Sequence, residues 1–315
     1  MANRTTAVGP ASVPQPFPIA RILNFLRQMR EQPFAFAGLL VVLVFVGVAV
    51  LGPILAPYDY DQVLRGEDRR ALKRQPPSAA HIMGTDALGR DVFSRVLWGA
   101  RETIGLPAVA TALAVTLGTV LGLGIGYAGG WVDEIISRAL DSLLAIPSLV
   151  LALVMITTIV PTLKDLDSPI IDQIGAENIS LTLVIVLLYV PIVARVIRSA
   201  TLNVRSAGYV EAARLRGESA PYIMFREILP SVLPALAVEA SLRLSYAIFL
   251  VASLGFLGLG VQPPSPEWGR MVLDARTEVT LAPWSLWFPV GAIAMLIVSI
   301  NLLSDGLRRM LRYEE

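Results

Sequence analysis

Six long apolar runs constrain what this chain can fold into more than any other feature of its sequence. A helix needs about 20 consecutive, mainly apolar residues to cross the hydrocarbon core of a membrane. Hydropathy places six runs near that length in the 315 residues, at about 34–55, 106–127, 139–160, 181–197, 233–257 and 286–303. This pattern predicts an all-α membrane protein with six transmembrane helices.

The shortage of charged side chains supports this prediction and excludes other classes of protein. Charged residues make up 16% of the chain, against about 25% in soluble domains. The net charge of +1 argues against a nucleic-acid partner. The chain has no cysteine and one histidine, His81, which excludes disulfides, thiolate metal sites and multi-histidine metal sites. We therefore predict no metal site and expect His81 to be a surface or loop residue.

The chain also lacks the glycine-rich loop that binds the phosphates of ATP. Its only lysines, Lys73 and Lys164, each follow a leucine, so no G-x-x-x-x-G-K-[ST] motif can be drawn. We therefore expect no ATP hydrolysis by this chain through that motif, and we predict that it is not itself an enzyme.

The second apolar run carries a stripe of small residues on one helical face. These residues recur at every fourth position and are Ala110, Ala114, Gly118, Gly122 and Gly126. Because lipid provides no hydrophobic drive between helices, small residues promote packing by letting two backbones approach closely. The stripe predicts a helix that packs inside the bundle.

Two pairs of opposite charges lie within or beside the apolar runs. Glu239 and Arg243 are four residues apart, and Arg138 and Asp141 are three apart, so helical geometry places each pair on one face. Because charge in lipid is costly, these groups are expected to face a transport pathway, a partner or each other. A polar lining or gate and a purely structural ion pair are both consistent with the pattern.

Three other residues in the apolar runs bear on such a pathway. Pro147 lies inside the third run, where it can kink the helix and free a carbonyl group. Tyr246 and Tyr189 are further candidates for lining the pathway.

A polar segment at 199–230 separates the fourth and fifth runs. It contains Glu211-Ala212-Ala213-Arg214-Leu215-Arg216-Gly217 and later Leu229-Pro230. We predict a short helix that starts near Gly208, presents a weakly apolar face of Val210, Ala213 and Leu215, and ends at Gly217. Such a helix can lie in a groove on a partner; a solvated loop whose arginines contact anionic lipid is the alternative.

This segment resembles the EAA…G…LP loop of binding-protein-dependent ABC importer permeases. Three further stretches resemble the C-type permease subunit of dipeptide, oligopeptide and nickel importers, and they are His81 to Arg101, Leu257 to Gly269 and Asn301 to Arg308. The resemblance runs from about residue 35 to 310. Ser304 departs from it by replacing the usual glycine, and Glu227 replaces an apolar residue near Leu229.

The resemblance implies a type I ABC importer permease fold, with an extracytoplasmic loop between helices 1 and 2 and a cytoplasmic coupling helix between helices 4 and 5. It implies that the coupling helix docks on an ATPase subunit. The residues that match this role are Glu211, Ala212, Ala213, Arg214, Leu215, Gly217, Leu229 and Pro230.

The resemblance also implies partners and a cargo. The partners are a homologous B-type permease, two cytoplasmic ATPases that bind ATP and Mg²⁺, an extracytoplasmic substrate-binding protein and membrane lipid; no cofactor is expected in this chain. Peptides are the implied cargo, with nickel, glutathione or oligosaccharide as alternatives. An ion-coupled secondary transporter, which would show inverted repeats, and an intramembrane enzyme are the rival classes.

An even number of spans places both termini on one side, and the predominance of arginine in the segments on that side indicates the cytoplasm. The basic residues of the segment 58–102 break this rule. We predict a multi-pass protein of the cell inner membrane with both termini cytoplasmic. Its predicted divisions are a tail with an amphipathic helix (1–33), the first helix (34–56), an extracytoplasmic loop (57–102), the permease core (103–307) and a tail (308–315).

Overall fold

The computed structural model describes residues 29–166 and 168–312. The amphipathic helix expected before residue 30 lies almost wholly outside the described residues. The described part of the chain contains helices and isolated β-bridges but no β-strand. The helices are α1 (Pro33–Leu55), α2 (Val92–Ala128), α3 (Gly130–Leu144), α4 (Ser148–Lys164), α5 (Pro169–Ile174), α6 (Ala176–Val204), α7 (Gly208–Leu215), α8 (Ala220–Phe256), α9 (Trp268–Ala275) and α10 (Pro283–Arg312).

Five of these helices are long and apolar enough to cross a membrane on their own, namely α1, α2, α6, α8 and α10. The bent pair of α3 and α4 passes the same test when its two parts are taken together. The prediction of an all-α membrane protein with six spans is therefore confirmed, provided that the bent pair counts as one span.

The third span differs from the single helix predicted for residues 139–160. It breaks between Leu144 and Ser148, and the axes of α3 and α4 differ by 84°. Pro147 is the physical reason, because its ring excludes a helical hydrogen bond and disfavours helical geometry at the residue before it. Its backbone is extended, at φ −56° and ψ 125°. The kink predicted at this proline is a full break.

The second helix starts earlier than its apolar run suggested. α2 begins at Val92, so residues 92–102 of the stretch predicted as a loop are helical. Asp91 caps this end by accepting a hydrogen bond from the backbone N–H of Ser94 at 2.8 Å, which satisfies one of the unpaired donors of a helix start. The capping residue Asp91 lies in the polar segment, well before the apolar run begins. Hydropathy reports only the apolar run, so it placed the start of α2 too late.

The small-residue stripe of α2 lies against α6. All five residues of the stripe are buried. A Cβ atom on Gly118 would approach Val193 to 2.7 Å, and one on Gly126 would approach Thr201 to 2.8 Å. The backbones of α2 and α6 are thus close enough that only glycine fits at these positions. This interface forms the centre of the bundle.

The segments at one end of the bundle are tied together by polar contacts. Arg74, in the segment between α1 and α2, contacts Glu278, between α9 and α10, with 2.6 Å between Nε and Oε2. His81 lies in the same segment, as the expectation of a surface or loop residue allows, but it is a buried loop residue that is only 9% exposed. Its Nδ1 lies 3.4 Å from Oδ1 of Asp91. Since connections alternate between the two ends, α7 lies at the opposite end.

Candidate functional site

The short helix α7 is anchored by two residues and presents the others to the surroundings. Val210 and Ala213 are fully buried and pack in one cluster with Leu123 of α2 and Ile197 of α6. The predicted docking residues Glu211, Ala212 and Arg214 are exposed, as is Pro230, whereas Leu229 is partly buried.

Leu215 does not share a face with Val210 and Ala213, although the sequence predicted one weakly apolar face for the three residues. Its side chain is 90% exposed, because position 215 is two residues beyond Ala213 and therefore points to the other side of the helix.

Gly217 ends α7 in the left-handed conformation, with φ of +77°. Its N–H donates to the carbonyl of Arg214 at 2.9 Å, and the N–H of Glu218 donates to the carbonyl of Ala213 at 3.2 Å. These bonds satisfy carbonyl groups that a helix end otherwise leaves unpaired. Apart from its chain neighbours, no atom of residues 29–166 and 168–312 lies within 4 Å of the position of a Cβ at Gly217, so glycine is required by conformation and not by space.

Neighbouring charges brace the turn that follows α7. Arg216 lies 3.4 Å from a carboxylate oxygen of Glu227, the residue that departs from the family pattern. The guanidinium of Arg214 lies 5.0 Å from the ring centroid of Tyr127 at the end of α2, within the range of a cation–π interaction. The departure at position 227 therefore coincides with an ion pair that connects both sides of the turn.

A cavity of about 570 Å³ opens where the third span is broken. Its wall combines residues of the α3–α4 break, the middle of α6 and the C-terminal half of α8, including Pro147, Tyr189, Arg243 and Tyr246. Non-helical backbone at membrane depth is tolerated where it is buried or lines a cavity. The break and the cavity are thus parts of one feature.

Glu239 and Arg243 form the ion pair that their spacing predicted. Nε of Arg243 lies 2.8 Å from Oε1 of Glu239, and the two side chains are 13% and 10% exposed. The guanidinium also lies near two aromatic rings, 5.6 Å from the centroid of Tyr189 and 4.9 Å from that of Tyr246. The structure therefore places three predicted pathway residues, Glu239, Arg243 and Tyr246, in one group beside the cavity.

The predicted pairing of Arg138 with Asp141 is not formed. Arg138 instead contacts Glu134 on the same helix at 2.5 Å, and Asp141 contacts Arg195 of α6. About two turns before Asp141 on α3, Asp133 accepts a hydrogen bond of 2.7 Å from Arg198 of α6. Because α3 packs beside α6, acidic residues of α3 form ion pairs with arginines of α6. The sequence contains no local pattern that predicts these contacts between helices.

Glu267 is a buried acid in the stretch from Leu257 to Gly269 that resembles the permease family. Its carboxylate caps α9 by accepting hydrogen bonds of 2.8 Å from the backbone N–H groups of Gly269 and Arg270. Burial raises the pKa of Glu267 to about 7, although these two hydrogen bonds act in the opposite direction. The P-E-W-G pattern could have indicated this cap, since an acidic residue just before a helix start is a capping signal.

The five long apolar helices and the broken third span, with a short helix between α6 and α8, are the features of a polytopic membrane protein. Residues 83–312 match the sequence model of the family described as binding-protein-dependent transport system inner membrane component. Residues 23–77 match the N-terminal transmembrane domain of oligopeptide transport permease C. The chain belongs to this permease family, which confirms the resemblance seen in its motifs.

Relatives of known function cover most of the chain. The chain is 36% identical over 282 residues to the dipeptide transport system permease protein DppC of Alkalihalophilus pseudofirmus. The aligned region covers 90% of this chain and 86% of the relative. It is also 36% identical over 291 residues to the glutathione transport system permease protein GsiD of Pectobacterium atrosepticum. That aligned region covers 90% of this chain and 88% of the relative.

A solved structure shares the fold. A chain of the MetNI methionine ABC transporter in an inward-facing conformation superimposes with a TM-score of 0.53 at 19% identity, covering 69% of this chain and 96% of that chain. The protein is therefore a multi-pass inner-membrane permease of the ABC importer type, a family whose members are not themselves enzymes.

Proposed function

We propose that this chain forms half of the pathway through which an ATP-driven importer moves peptides into the cell. The observation that carries the proposal is the match to a dipeptide permease over 90% of the chain. Glutathione, itself a small peptide, is the second candidate cargo, because a glutathione permease matches an equal share of the chain at the same identity. The cavity of about 570 Å³ lies in the range of pockets that hold small molecules.

The proposed complex contains a homologous B-type permease, two cytoplasmic ATPases that hold ATP and Mg²⁺, and an extracytoplasmic substrate-binding protein. A separate source of ATP hydrolysis is supported by the sequence, in which neither lysine lies in a phosphate-binding loop. This chain is proposed to bind no cofactor of its own.

In this proposal α7 is the coupling helix that receives force from an ATPase. Glu211, Ala212, Arg214 and Leu215 form its docking surface, while Ala213 holds it against the bundle. Gly217, Leu229 and Pro230 shape the turn that leads into α8. Support comes from the packing of Ala213 beside Leu123 and Ile197, since a displacement of α7 is passed directly to α2 and α6.

The proposed pathway runs past the cavity. Arg243 and Tyr246 line it, and Glu239 holds the charge of Arg243 in place. Arg138 and Asp141 lie nearer the end that carries α7 and act as an inner gate. Alternating access requires that cargo or ATP bind one arrangement of the helices better than the other. The ion pairs between α3 and α6, such as Asp141 with Arg195, are contacts that can break and re-form between two arrangements.

The proposed orientation places α7 and both termini in the cytoplasm, and the segments after α1 and α8 outside. Membrane lipid is the proposed neighbour of α1, whose exposed side chains are apolar, among them Phe34, Val44 and Ile54.

Reconstitution tests the proposed function. Vesicles that contain this chain, its B-type partner and both ATPases are supplied with binding protein, ATP and labelled dipeptide, glutathione, nickel or oligosaccharide in separate assays. We expect ATP-dependent uptake of peptide, and no ATP turnover by the purified chain alone. Uptake that runs on an ion gradient without the ATPases would indicate a secondary transporter, and uptake of nickel or oligosaccharide without peptide would overturn the proposed cargo.

A further inference from the structure

The cavity at the broken third span has a single charge on its wall. Its lining residues all lie in the described part of the chain, and Arg243 is the only charged residue among them. The remaining wall is mainly aliphatic and aromatic. An apolar cavity with one well-placed polar group is the usual form of a small-molecule site, in which the polar group sets the orientation of the ligand.

The guanidinium of Arg243 has unused hydrogen-bonding capacity. Nε lies 2.8 Å from Glu239, but neither Nε nor Oε1 has a properly directed hydrogen bond within the described residues. A guanidinium carries five N–H donors in a rigid fork that matches a carboxylate in two parallel bonds. Tyr189 and Tyr246 lie beside the guanidinium, so it is held in place, and Arg243 is one of the residues that line the cavity.

A second positive feature lies in the same wall. Helix α4 starts at the break with Ser148, and its N-cap residue Pro147 makes no side-chain capping bond. The first N–H groups of a helix have no partner within the helix, and together with the helix dipole they attract anions. Ser148 and Leu149 both line the cavity, so this uncapped helix start and Arg243 border the same space.

We propose that this cavity binds the free carboxylate of the cargo, between the guanidinium of Arg243 and the N-terminus of α4. This inference rests on the proposed import of peptides, whose terminal carboxylate is the group common to all of them. The apolar wall receives cargo side chains without selecting among them. Glu239 neutralises Arg243 when the cavity is empty, which avoids an isolated charge inside the membrane.

The test compares one cargo with and without its carboxylate. The complete transporter in vesicles is given alanylphenylalanine or its C-terminal amide, each at a concentration that saturates the binding protein. The uptake rate of the acid divided by that of the amide is measured for the unmodified transporter, Arg243→Gln and Arg243→Lys. A matched control, Arg309→Gln, removes an arginine that is exposed at the end of α10.

We expect Arg243→Gln to lower the acid-to-amide ratio by about tenfold or more, the value of a hydrogen-bonded charge contact. Arg243→Lys keeps the charge but not the fork and lowers the ratio less, and Arg309→Gln leaves it unchanged. Because the same binding protein serves every variant, its own preference cancels in the comparison.

Two results would overturn the inference and are distinct from failure of the proposed function. The first is an unchanged ratio in Arg243→Gln in transporters whose ATPase is still stimulated by loaded binding protein, which shows that they are assembled. The second is an equal loss of ratio in Arg309→Gln. Absence of any dipeptide uptake by the unmodified transporter would instead reject the proposed cargo, and with it the carboxylate site.

Discussion

A Cβ atom on Gly122 of α2 would lie 2.5 Å from the carbonyl oxygen of Ala194 on the facing helix α6. This distance is shorter than van der Waals contact, so any side chain at position 122 must push the two central helices apart. We predict that Gly122→Val destabilises the protein by about 1–3 kcal/mol, the usual cost of overpacking.

Gly124 provides the control for this prediction, because within the described residues no atom outside the local backbone of α2 lies within 4 Å of its Cβ position. The apparent melting temperature in detergent, followed by size-exclusion chromatography, should fall for Gly122→Val and change little for Gly124→Val. Equal melting temperatures for the two variants would contradict the close packing of α2 on α6.

The turn after α7 is predicted to depend on backbone conformation at Gly217. A β-branched residue at φ of +77° is strained by roughly 1–2 kcal/mol, although there is open space around it. We expect Gly217→Val to remain in the membrane but to lose uptake and the stimulation of ATPase activity by loaded binding protein.

Two further variants separate strain from bulk at this turn. Gly217→Asn should retain most of the uptake, since asparagine tolerates the left-handed conformation. Gly208→Val adds the same bulk at a position with no positive φ, where no described atom outside the local backbone lies within 4 Å of a Cβ, and it should couple normally. Normal uptake and stimulation in Gly217→Val would reject the proposed role of the turn.

The orientation of the chain can be determined by labelling, because the protein has no natural cysteine. Leu215 at the tip of α7 and Ile82 in the segment before α2 are both exposed. We expect a membrane-impermeant maleimide to label Ile82→Cys in intact cells and Leu215→Cys only in inverted vesicles. Val210→Cys, at a buried position, should react from neither side. Labelling of Leu215→Cys in intact cells would invert the proposed topology.

Glu267 is predicted to make stability depend on pH in the neutral range. Its pKa is raised to about 7 from an ordinary value of 4.5, so between these values the folded protein keeps a proton that the unfolded chain has released. The free energy of unfolding is therefore highest below pH 4.5 with respect to this residue. It falls as the pH rises from 4.5 to about 7, and above that pH this residue causes no further change. Integrated over this window, the change is about 3 kcal/mol.

Glu267→Gln removes this dependence while keeping an oxygen that can cap α9. We expect its melting temperature, relative to the unmodified protein, to rise between pH 5 and pH 7.5. Glu278→Gln is the control: the hydrogen bond from Arg74 lowers the pKa of Glu278 below 4.5, so this residue stays ionised throughout the range. A relative melting temperature of Glu267→Gln that does not change with pH would contradict the prediction.

The number of spans and the face on which α2 packs could be predicted from the sequence because both depend on local patterns. Hydropathy reports whether a segment prefers lipid to water, and a repeat of four places Gly118 and Gly126 on one side of a helix. The same local rule predicted the contact of Glu239 with Arg243, since both lie on one helix. The end of α7 at Gly217 was predictable for a similar reason, from the conformational freedom of glycine.

Local patterns could not predict contacts between helices. The spacing of Arg138 and Asp141 was compatible with a pair, yet Asp141 contacts Arg195, which is 54 positions away in the chain. Hydropathy also does not report the direction of a helix axis. The third span, which breaks at Pro147 with a bend of 84°, therefore has the hydropathy of one continuous helix. His81 is buried by surrounding loop segments that have no regular pattern.

The sequence by itself determined the apolar segments and the position of the short helix α7, because each of these follows from neighbours along the chain. Its motifs indicated the class of protein through their resemblance to a family. Only the tertiary structure decided that the third span opens into a cavity beside Arg243 and that α3 is tied to α6. These features depend on which helices lie side by side, and that is set by the packing energy of the whole bundle.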